Sequence, residues 1–350
     1  MSMHDNLPDE LEAYLRGWAD LQPDDNETAF RRFALLPRVM TGRSDIDVTC
    51  SLLGMTMGAP LIVGAFAADR LFHELGLLPI ARICDRLRLP LIVSEETVTP
   101  LATITTQHDL CWLQIRGAGT LERACRMIAL AANQGARGLV VTLLAPTHPC
   151  PGQQPGGLDV GAELARREWS TIGSAEPGIG DVAPWPQWNW DDLRHVVEQA
   201  RTHGLPVIAK GVLHPDDVEH AVAVGCAATM LSNVGRRQLR RSVAPLDMLR
   251  EAAAVTGDHP LLLDGGIRSG SDAIVARCLG AIASIVVRPV AKALAQGGEG
   301  GVERLLTSYV NEITATASWL GVDGLAALQP ALVRNAEGGA LLPDAKAARS

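Results

Sequence analysis

Eight short apolar segments are the feature that most constrains how this chain can fold. Each is six or seven residues long, and stretches with helical character separate most of them. Runs this short and apolar are typical of strands buried on both faces. Eight such strands with intervening helices favour an α/β fold of the closed (β/α)8 TIM barrel type over a doubly wound sheet. The runs are residues 60–66, 90–95, 111–116, 138–144, 206–211, 228–233, 260–266 and 284–289.

The remaining sequence surrounds this barrel. We predict an N-terminal helical extension over 1–45, the barrel over 46–332 and a disordered tail over 333–350. Residues from 297 onward are expected to form one or two helices that pack on the barrel. Residues 145–187 form a long connection after strand four, rich in Pro and Gly. A connection of that length is typical of a functional lid or a disordered segment.

Composition argues against several classes of protein. The formal net charge of -8 argues against nucleic acid as the main partner. No apolar stretch reaches about 18 residues, so we predict no transmembrane helix and no membrane partner. The acidic N-terminus lacks the apolar core of a signal peptide. Seven cysteines without CxxC spacing favour a reducing cytoplasm and argue against a zinc site, so we expect a cytoplasmic protein without a metal.

The ends of the last two strands carry a phosphate-like signature. Gly265 and Gly266 lie in DGGIRSG after strand seven, and VRP follows strand eight. Glycine lets main-chain N–H groups approach a phosphate, and Arg268 and Arg288 supply bidentate charge. A tight turn with solvated arginines is the alternative for one such arginine, but a second one at the neighbouring strand end favours phosphate binding.

Polar side chains also end four earlier strands. Ser94, Gln114 and Thr142 could hydrogen-bond a planar ring that carries several nitrogen and oxygen atoms. Lys210 ends an apolar strand and needs an anionic partner if it is buried, although a lysine that reaches solvent from the rim is the alternative. A ligand with a phosphate at one end and a polar ring at the other satisfies both sets of groups, and FMN fits that description.

The motifs resemble those of the FMN-dependent 2-hydroxy acid oxidase and dehydrogenase family, which includes glycolate oxidase, lactate oxidase and L-lactate dehydrogenase. The likeness extends from about residue 14 to residue 332. It is carried by the ordered stretches LPRVMTGRSDIDVTCSLLGMTMGAPLIVGAFAAD, CWLQIR, VVTLLAP, WNWDDL, VIAKGVLHPDDVEHAV, LSNVGRRQL, LLLDGGIRSGSD and VVRPVAKALAQGGEGGV.

The resemblance implies a set of FMN contacts and a homo-oligomer, commonly a tetramer. Lys210 would lie near N1 and C2=O of the ring, and Asp264 would bind the ribityl chain. Val287 departs from the family, which has glycine there, and would narrow the phosphate cleft. The full set of implied cofactor-binding residues is Ala65, Phe66, Ala67, Ser94, Gln114, Thr142, Lys210, Ser232, Asp264, Gly265, Gly266, Arg268, Val287 and Arg288.

The substrate half departs from the family pattern. The family reads SNHGGRQLD where this chain has SNVGRRQLR from Ser232 to Arg240. The resemblance therefore implies that Val234 replaces the histidine that accepts the hydroxyl proton. Leu144 replaces the acid that orients that histidine. General-base catalysis contributes about 10²–10⁴-fold, so efficient oxidation of an ordinary 2-hydroxy acid is not expected unless another base serves.

Other positions in the implied pocket are also changed. Arg237 is kept and would bind a substrate carboxylate, but the family's second carboxylate arginine falls near Pro151. Arg116 replaces a tyrosine, and Arg236 replaces a glycine and could enter the pocket or face solvent. Tyr14 corresponds to the tyrosine that contacts substrate from the N-terminal segment.

Three side chains could replace the missing base. Glu95 or Glu96 could serve if burial raised its pKa, although either could simply pair with Arg116. His148 in the long connection is a weaker candidate, because a lid histidine is usually exposed.

Three functions follow from this pattern. The first is an FMN-dependent oxidoreductase with altered chemistry, which acts on a small carboxylate-bearing metabolite of a biosynthetic pathway. The second is a flavin-binding isomerase, decarboxylase or pseudoenzyme that serves a partner protein. The third is a barrel in which Val287 prevents FMN binding.

Overall fold

The computed structural model describes residues 9–16, 24–43, 46–143, 158–174 and 187–336. Its strands are β1 (Phe33–Leu35), β2 (Cys50–Leu52), β3 (Met55–Met57), β4 (Leu61–Val63), β5 (Leu91–Ser94), β6 (Cys111–Arg116), β7 (Leu139–Thr142), β8 (Val207–Val212), β9 (Ala228–Ser232), β10 (Leu261–Asp264), β11 (Ala283–Val286) and β12 (Val333–Asn335). Its α-helices are α1 (Asp9–Arg16), α2 (Asp25–Arg31), α3 (Leu78–Leu87), α4 (Leu101–Thr105), α5 (Leu121–Asn133), α6 (Val160–Arg166), α7 (Trp190–Thr202), α8 (Pro215–Ala223), α9 (Pro245–Thr256), α10 (Gly270–Cys278) and α11 (Arg288–Leu320).

Strands β4 to β11 form a closed parallel barrel in chain order, with β11 paired to β4. Each of them coincides with one of the eight predicted apolar runs, and helices follow every strand. The predicted (β/α)8 architecture is therefore confirmed. The long connection contains helix α6, which the sequence did not predict; the Asp159 side chain caps it by accepting a hydrogen bond from the Ala162 N–H at 2.9 Å.

Inward-facing side chains from all eight strands fill the barrel interior, and Ala228 and Ala283 give β9 and β11 a second one. The hairpin β2–β3 adds Leu52 to this cluster, and the Gly58 N–H bonds the carbonyl of Arg88 just before β5, so the hairpin lies at the N-terminal end. Strand side chains alternate between faces, so residues two positions further on point inward again at the C-terminal end. The larger filling residues are Ile62, Ile92, Trp112, Val140, Ile208, Met230, Leu262 and Ile285.

The terminal segments pack together on the outside of the barrel. Strand β1 pairs antiparallel with β12, with Leu35 opposite Val333. The N-terminal extension thus contains a strand as well as helices. Residues 333–335, which the sequence prediction assigned to a disordered tail, form a strand, because a three-residue strand with one buried side chain carries too weak a pattern to be recognised without its partner. Residues 337–350 lie outside the described part of the chain.

The C-terminal helix α11 covers the region where one or two helices were expected. It breaks at Gly298, whose φ of +53° and ψ of -145° are not helical. In the part of the chain that the structure describes, no helix is both long enough and apolar enough to span a bilayer.

Candidate active site

A cavity of about 250 Å³ opens at the C-terminal end of the barrel. Among the described residues, the predicted cofactor-binding residues line it except Ser232, and the predicted catalytic residues line it except Glu95. The alternation along the strands explains this convergence, because Ser94, Gln114 and Lys210 stand two positions beyond inward-facing core residues. Segments far apart in the sequence therefore meet around one space.

The polar groups on the barrel side of the cavity are buried and paired. The Gln114 amide donates to Thr142 Oγ1 at 3.0 Å. Lys210 Nζ lies 2.9 Å from Asp264 Oδ2, and the Ser232 hydroxyl donates to the same oxygen at 2.7 Å. Lys210 is only 7% exposed, so it does not reach solvent from the rim. Ser232 acts on the cavity through Asp264 and not by lining it.

The arginines at the other end of the cavity contact the first turn of α2. Arg288 Nη1 donates to Asp24 Oδ2 at 2.9 Å, and Arg268 Nη2 lies 2.6 Å from Glu27 Oε1. Burial lowers the pKa of Arg288 below its usual range; Asp24 opposes this effect, and the charges of Arg237 and Arg268 add to it. Several positive charges therefore converge here. The sequence analysis did not predict their acidic partners, although the acidic run DDNE, which contains both, could have indicated them.

Two glycines form the turn after β10 and let other groups approach its main chain closely. Gly265 has φ +127° and Gly266 has φ +87°, which disfavour any other residue. A Cβ on Gly266 would lie 2.2 Å from the main-chain oxygen of Asn26. The side chains of Asn26 and Asn233 bond each other at 3.0 and 2.7 Å, which ties α2 to the end of β9. Neither asparagine was predicted as a site residue.

Glu95 is directed away from the cavity. It is 1% exposed, and its Oε1 accepts from the Arg116 N–H at 2.9 Å and from Arg116 Nε at 3.4 Å. Its Oε2 accepts from Arg123 Nη2 at 2.7 Å. Both oxygens of Glu95 are therefore engaged by arginines, and neither is placed to accept a proton from a ligand in the cavity. The prediction of Glu95 as a base is therefore not supported, and Arg123 on α5 was missed because nothing in its local sequence marks it.

Glu96 faces the cavity, with its Oε1 hydrogen-bonded by Arg116 Nη2. Burial raises the pKa of this carboxyl, and Glu95 adds to the rise, whereas Arg116 and Arg237 oppose it. Both glutamates thus contact Arg116, but only Glu96 is placed to contact a ligand.

Arg237 lines the cavity beside Tyr14. Its guanidinium carbon lies 4.5 Å from the centre of the Tyr14 ring, and Nη2 donates to the Tyr14 main-chain oxygen at 2.7 Å. Among the described residues Arg237 makes no ion pair. Its neighbour Arg236 neither enters the cavity nor faces solvent, because it is buried and lies 2.7 Å from Asp25 Oδ2.

Val234 lines the cavity where the resemblance implied a histidine. The described residues that line the cavity include no histidine. Val234 has φ +51°, a left-handed conformation that is a genuine outlier for a β-branched residue. Leu144, His148 and Pro151, which the sequence had also singled out, lie outside the described residues.

A second cavity, of about 420 Å³, also borders Val234. Its lining is largely apolar and includes Trp188, Trp190 and Leu239. Val234 is therefore the residue common to both cavities, so its size affects the space in each.

The family described as FMN-dependent dehydrogenase matches residues 3–335. The chain belongs to this family. It is 30% identical to 4-hydroxymandelate oxidase of Amycolatopsis orientalis over 342 residues, 92% of this chain and 93% of the relative. It is also 30% identical to 2-hydroxyacid oxidase 1 of Homo sapiens over 346 residues, 94% of this chain and 93% of the relative.

Solved structures of mandelate oxidase share the fold. A variant with (S)-mandelic acid superposes with a TM-score of 0.81 at 27% identity, covering 95% of this chain and 96% of that chain. A variant with a C4a-OH-FMN adduct gives a TM-score of 0.82 at 29% identity, covering 95% of this chain and 97% of that chain.

FMN is the cofactor of this family, and the cavity suits it. Amide, hydroxyl and ammonium groups cluster on the barrel side, where a heterocycle with mixed donors and acceptors can be bound. At the other end, Arg268 and Arg288 and a glycine turn too tight for a Cβ suit a phosphate. The chemistry of the donor set thus matches both ends of the cofactor.

Proposed function

We propose that this protein is an FMN-dependent oxidoreductase that binds a small carboxylate-bearing substrate and does not use the histidine-assisted oxidation of 2-hydroxy acids. The observation that carries this proposal is Val234, which lines the cavity beside Arg237 and offers no proton acceptor. The cofactor cavity keeps its polar groups while the group needed to deprotonate a hydroxyl is replaced. A cavity that suits the cofactor but has no proton acceptor at this position on its substrate side is best explained by a changed reaction.

In this proposal the barrel side holds the FMN ring and the arginine end holds its phosphate. Ser94, Gln114 and Thr142 would hydrogen-bond the ring, and bound FMN would supply a two-electron acceptor. Lys210 would place a positive charge near the ring, balanced by Asp264 at 2.9 Å. Arg268 and Arg288 would exchange their contacts with Glu27 and Asp24 for the phosphate. Ala65, Phe66 and Ala67 would lie against the ring.

Arg237 is the proposed anchor for the substrate carboxylate. It faces the cavity, it has no ion-pair partner among the described residues, and the Tyr14 ring and carbonyl hold it in place. Arg116 differs, because Glu95 and Glu96 already neutralise it. An arginine with an unused charge binds a carboxylate more strongly than one that must first break ion pairs.

The test is to purify the chain, record its flavin spectrum and add candidate carboxylates without oxygen. We expect bound FMN, loss of flavin absorbance with at least one carboxylate-bearing compound, and weaker binding of that compound by Arg237→Met. Bound flavin that no organic substrate reduces would instead support a flavin-binding isomerase, decarboxylase or pseudoenzyme. A protein that takes up no FMN would contradict both functions.

A further inference from the structure

We infer that the substrate carries an amine as well as a carboxylate, so that Arg237 binds the carboxylate and Glu96 binds the ammonium group of an amino acid. This inference rests on the proposed function and names the substrate class of the same site. It is carried by the arrangement of charges on the substrate side of the cavity.

The charges of four linked side chains at and behind the cavity wall cancel. Glu95 bridges Arg123 at 2.7 Å and Arg116 at 3.4 Å, and Arg116 in turn contacts Glu96. Two carboxylates and two guanidinium groups therefore form a chain of ion pairs with no net charge. Arg237 stands outside this chain but lines the same cavity as Glu96, and its positive charge lowers the pKa of that carboxyl. The site thus offers one uncompensated cation beside one carboxylate.

Glu96 has an oxygen available to a ligand. Arg116 contacts Oε1, and no hydrogen bond to Oε2 occurs among the described residues. A carboxylate that faces a largely buried cavity repels a second carboxylate and gains little from a neutral hydroxyl. An ammonium group would satisfy Oε2 with a charge-assisted hydrogen bond. A zwitterion therefore complements Arg237 and Glu96 together, whereas a plain 2-hydroxy acid complements only Arg237.

Amine oxidation also fits a site without an imidazole. The bound ammonium first gives one proton to Glu96, because only the neutral amine has a lone pair. Breaking the Cα–H bond would release the hydrogen as a hydride with both electrons, for which bound FMN would supply the two-electron acceptor. The nitrogen lone pair forms the C=N bond of an iminium carboxylate, which water hydrolyses to a 2-oxo acid and ammonium. No hydroxyl proton has to be removed, so this reaction does not need a proton acceptor at position 234.

The experiment compares compounds that differ only at the reacting carbon. Phenylglycine, mandelate and phenylacetate share one skeleton and carry an amine, a hydroxyl and a hydrogen, respectively; alanine, lactate and propionate repeat the series with a small side chain. Each compound, with both enantiomers where they exist, is mixed with the FMN-loaded protein under anaerobic conditions. Flavin absorbance gives the reduction rate, and calorimetry gives the affinity. We expect an amino acid to reduce the flavin about 100-fold faster than its hydroxy analogue or more, the lower bound of a general-base contribution.

The variant Glu96→Gln tests the assigned role. Gln keeps the shape and a hydrogen bond to Arg116 but loses the charge. We expect the affinity for the reactive amino acid to fall about 10- to 100-fold, while the affinity for the analogue without the amine stays the same or rises, because a charge that repels its carboxylate is lost. Glu96→Asp should recover part of the amino acid affinity because the charge returns. Equal losses for both compounds would contradict ammonium binding by Glu96.

The outcomes separate this inference from the proposed function. Reduction by a hydroxy acid at a rate equal to or above that of its amino analogue would overturn the inference and leave an FMN oxidoreductase standing. Failure of all amino acids in the panel to bind or to reduce the flavin would also overturn it. A protein without FMN would overturn the proposed function, and the inference would fall with it. The wild-type comparison decides the question even if Glu96→Gln does not fold.

Discussion

The main-chain N–H of Val234 donates a hydrogen bond to Oγ of Ser232 at 3.0 Å, and this contact holds the valine in a left-handed conformation at the edge of the cavity. A non-glycine residue in such a conformation costs on the order of 1–3 kcal/mol, and β-branched residues are among the least suited to it. The chain keeps an unfavourable residue at the position that faces the substrate side.

We predict that Val234→His is tolerated and gains hydroxy acid oxidation. Histidine adopts the left-handed region more readily than valine, so the free energy of unfolding should rise by up to about 1 kcal/mol. The two cavities that border residue 234 leave room for the ring. The reduction rate with mandelate or lactate should increase about 10-fold or more, because the imidazole can accept the hydroxyl proton. Thermal unfolding and anaerobic flavin reduction measure the two effects.

Val234→Asn is the matched control, since asparagine also tolerates the left-handed region but is not a base. An equal gain of hydroxy acid oxidation in both variants would show that proton transfer at this position is not what the wild type lacks.

We predict that Asp24→Asn tightens FMN binding. Asp24 Oδ2 lies 2.9 Å from Arg288 Nη1, so its negative charge competes with a phosphate for that arginine. Asparagine can keep the cap of α2, in which Asp24 accepts from the Asn26 N–H at 3.0 Å. The dissociation constant of FMN should fall about 3- to 10-fold, which corresponds to removal of one partly screened charge interaction. Quenching of FMN fluorescence on titration with apoprotein measures it.

Asp25→Asn removes the same charge from the same turn of α2 but from a residue that pairs with Arg236. It should change FMN affinity less than Asp24→Asn does. If both variants tighten binding to the same extent, the effect comes from the overall charge of α2 and not from competition at Arg288.

We predict that Glu95→Gln strongly destabilises the fold. Glu95 is the only ion-pair partner of Arg123 among the described residues, and Arg123 is 5% exposed. Removing one partner of a buried pair leaves an uncompensated charge and costs about 3–5 kcal/mol. Denaturant unfolding measures the loss, and Glu95→Gln combined with Arg123→Met should recover part of it.

Glu163→Gln provides the comparison for a solvent-exposed pair. Glu163 contacts Arg166 and Arg167 on the surface of α6, where water screens the charges. Glu163→Gln should lower the free energy of unfolding far less than Glu95→Gln does. Similar effects for Glu95→Gln and Glu163→Gln would contradict the buried role of Glu95.

We predict that Glu96 makes the stability depend on pH. Its pKa is raised in the folded chain above the ordinary value of 4.5, because burial outweighs the opposing charges of Arg116 and Arg237; Glu95 adds to the rise. The folded chain thus holds this proton more tightly than the unfolded chain. The resulting stabilisation is fully present below 4.5 and is lost as pH rises through the folded pKa. Tyr14 also interacts with Glu96, but burial raises the pKa of its hydroxyl above the ordinary value of 10.0, so it stays protonated in this range.

The measurement compares the free energy of unfolding of the wild type and of Glu96→Gln from about pH 4 to pH 8. As pH rises, the free energy of unfolding of the wild type should fall relative to that of Glu96→Gln. A difference that stays constant over this range would show that the Glu96 carboxyl titrates alike in the folded and unfolded chains.

Much of the cavity could be predicted from the order of the residues along each strand. The alternation that buries Trp112 also turns Gln114 and Arg116 inward, and the same argument applies to Lys210 beyond Ile208. The same alternation at the end of β5 places the two glutamates on opposite faces. Ser94 and Glu96 face the cavity, whereas Glu95 points away towards Arg123. The sequence prediction treated Glu95 and Glu96 as equivalent, because the apolar run marks where a strand ends but not whether the alternation continues beyond it.

The sequence by itself determined the barrel, because the apolar runs and their alternation are properties of each short segment, and its motifs indicated the cofactor through the family resemblance. Only the tertiary structure decided which charges meet. Asp24 and Arg288 are separated by 264 residues in the sequence, so no single motif contains both. In the fold, Asp24 Oδ2 lies 2.9 Å from Arg288 Nη1. Such contacts depend on how α2 packs over the closed barrel, and that packing arises from many weak contacts that no single segment of sequence encodes.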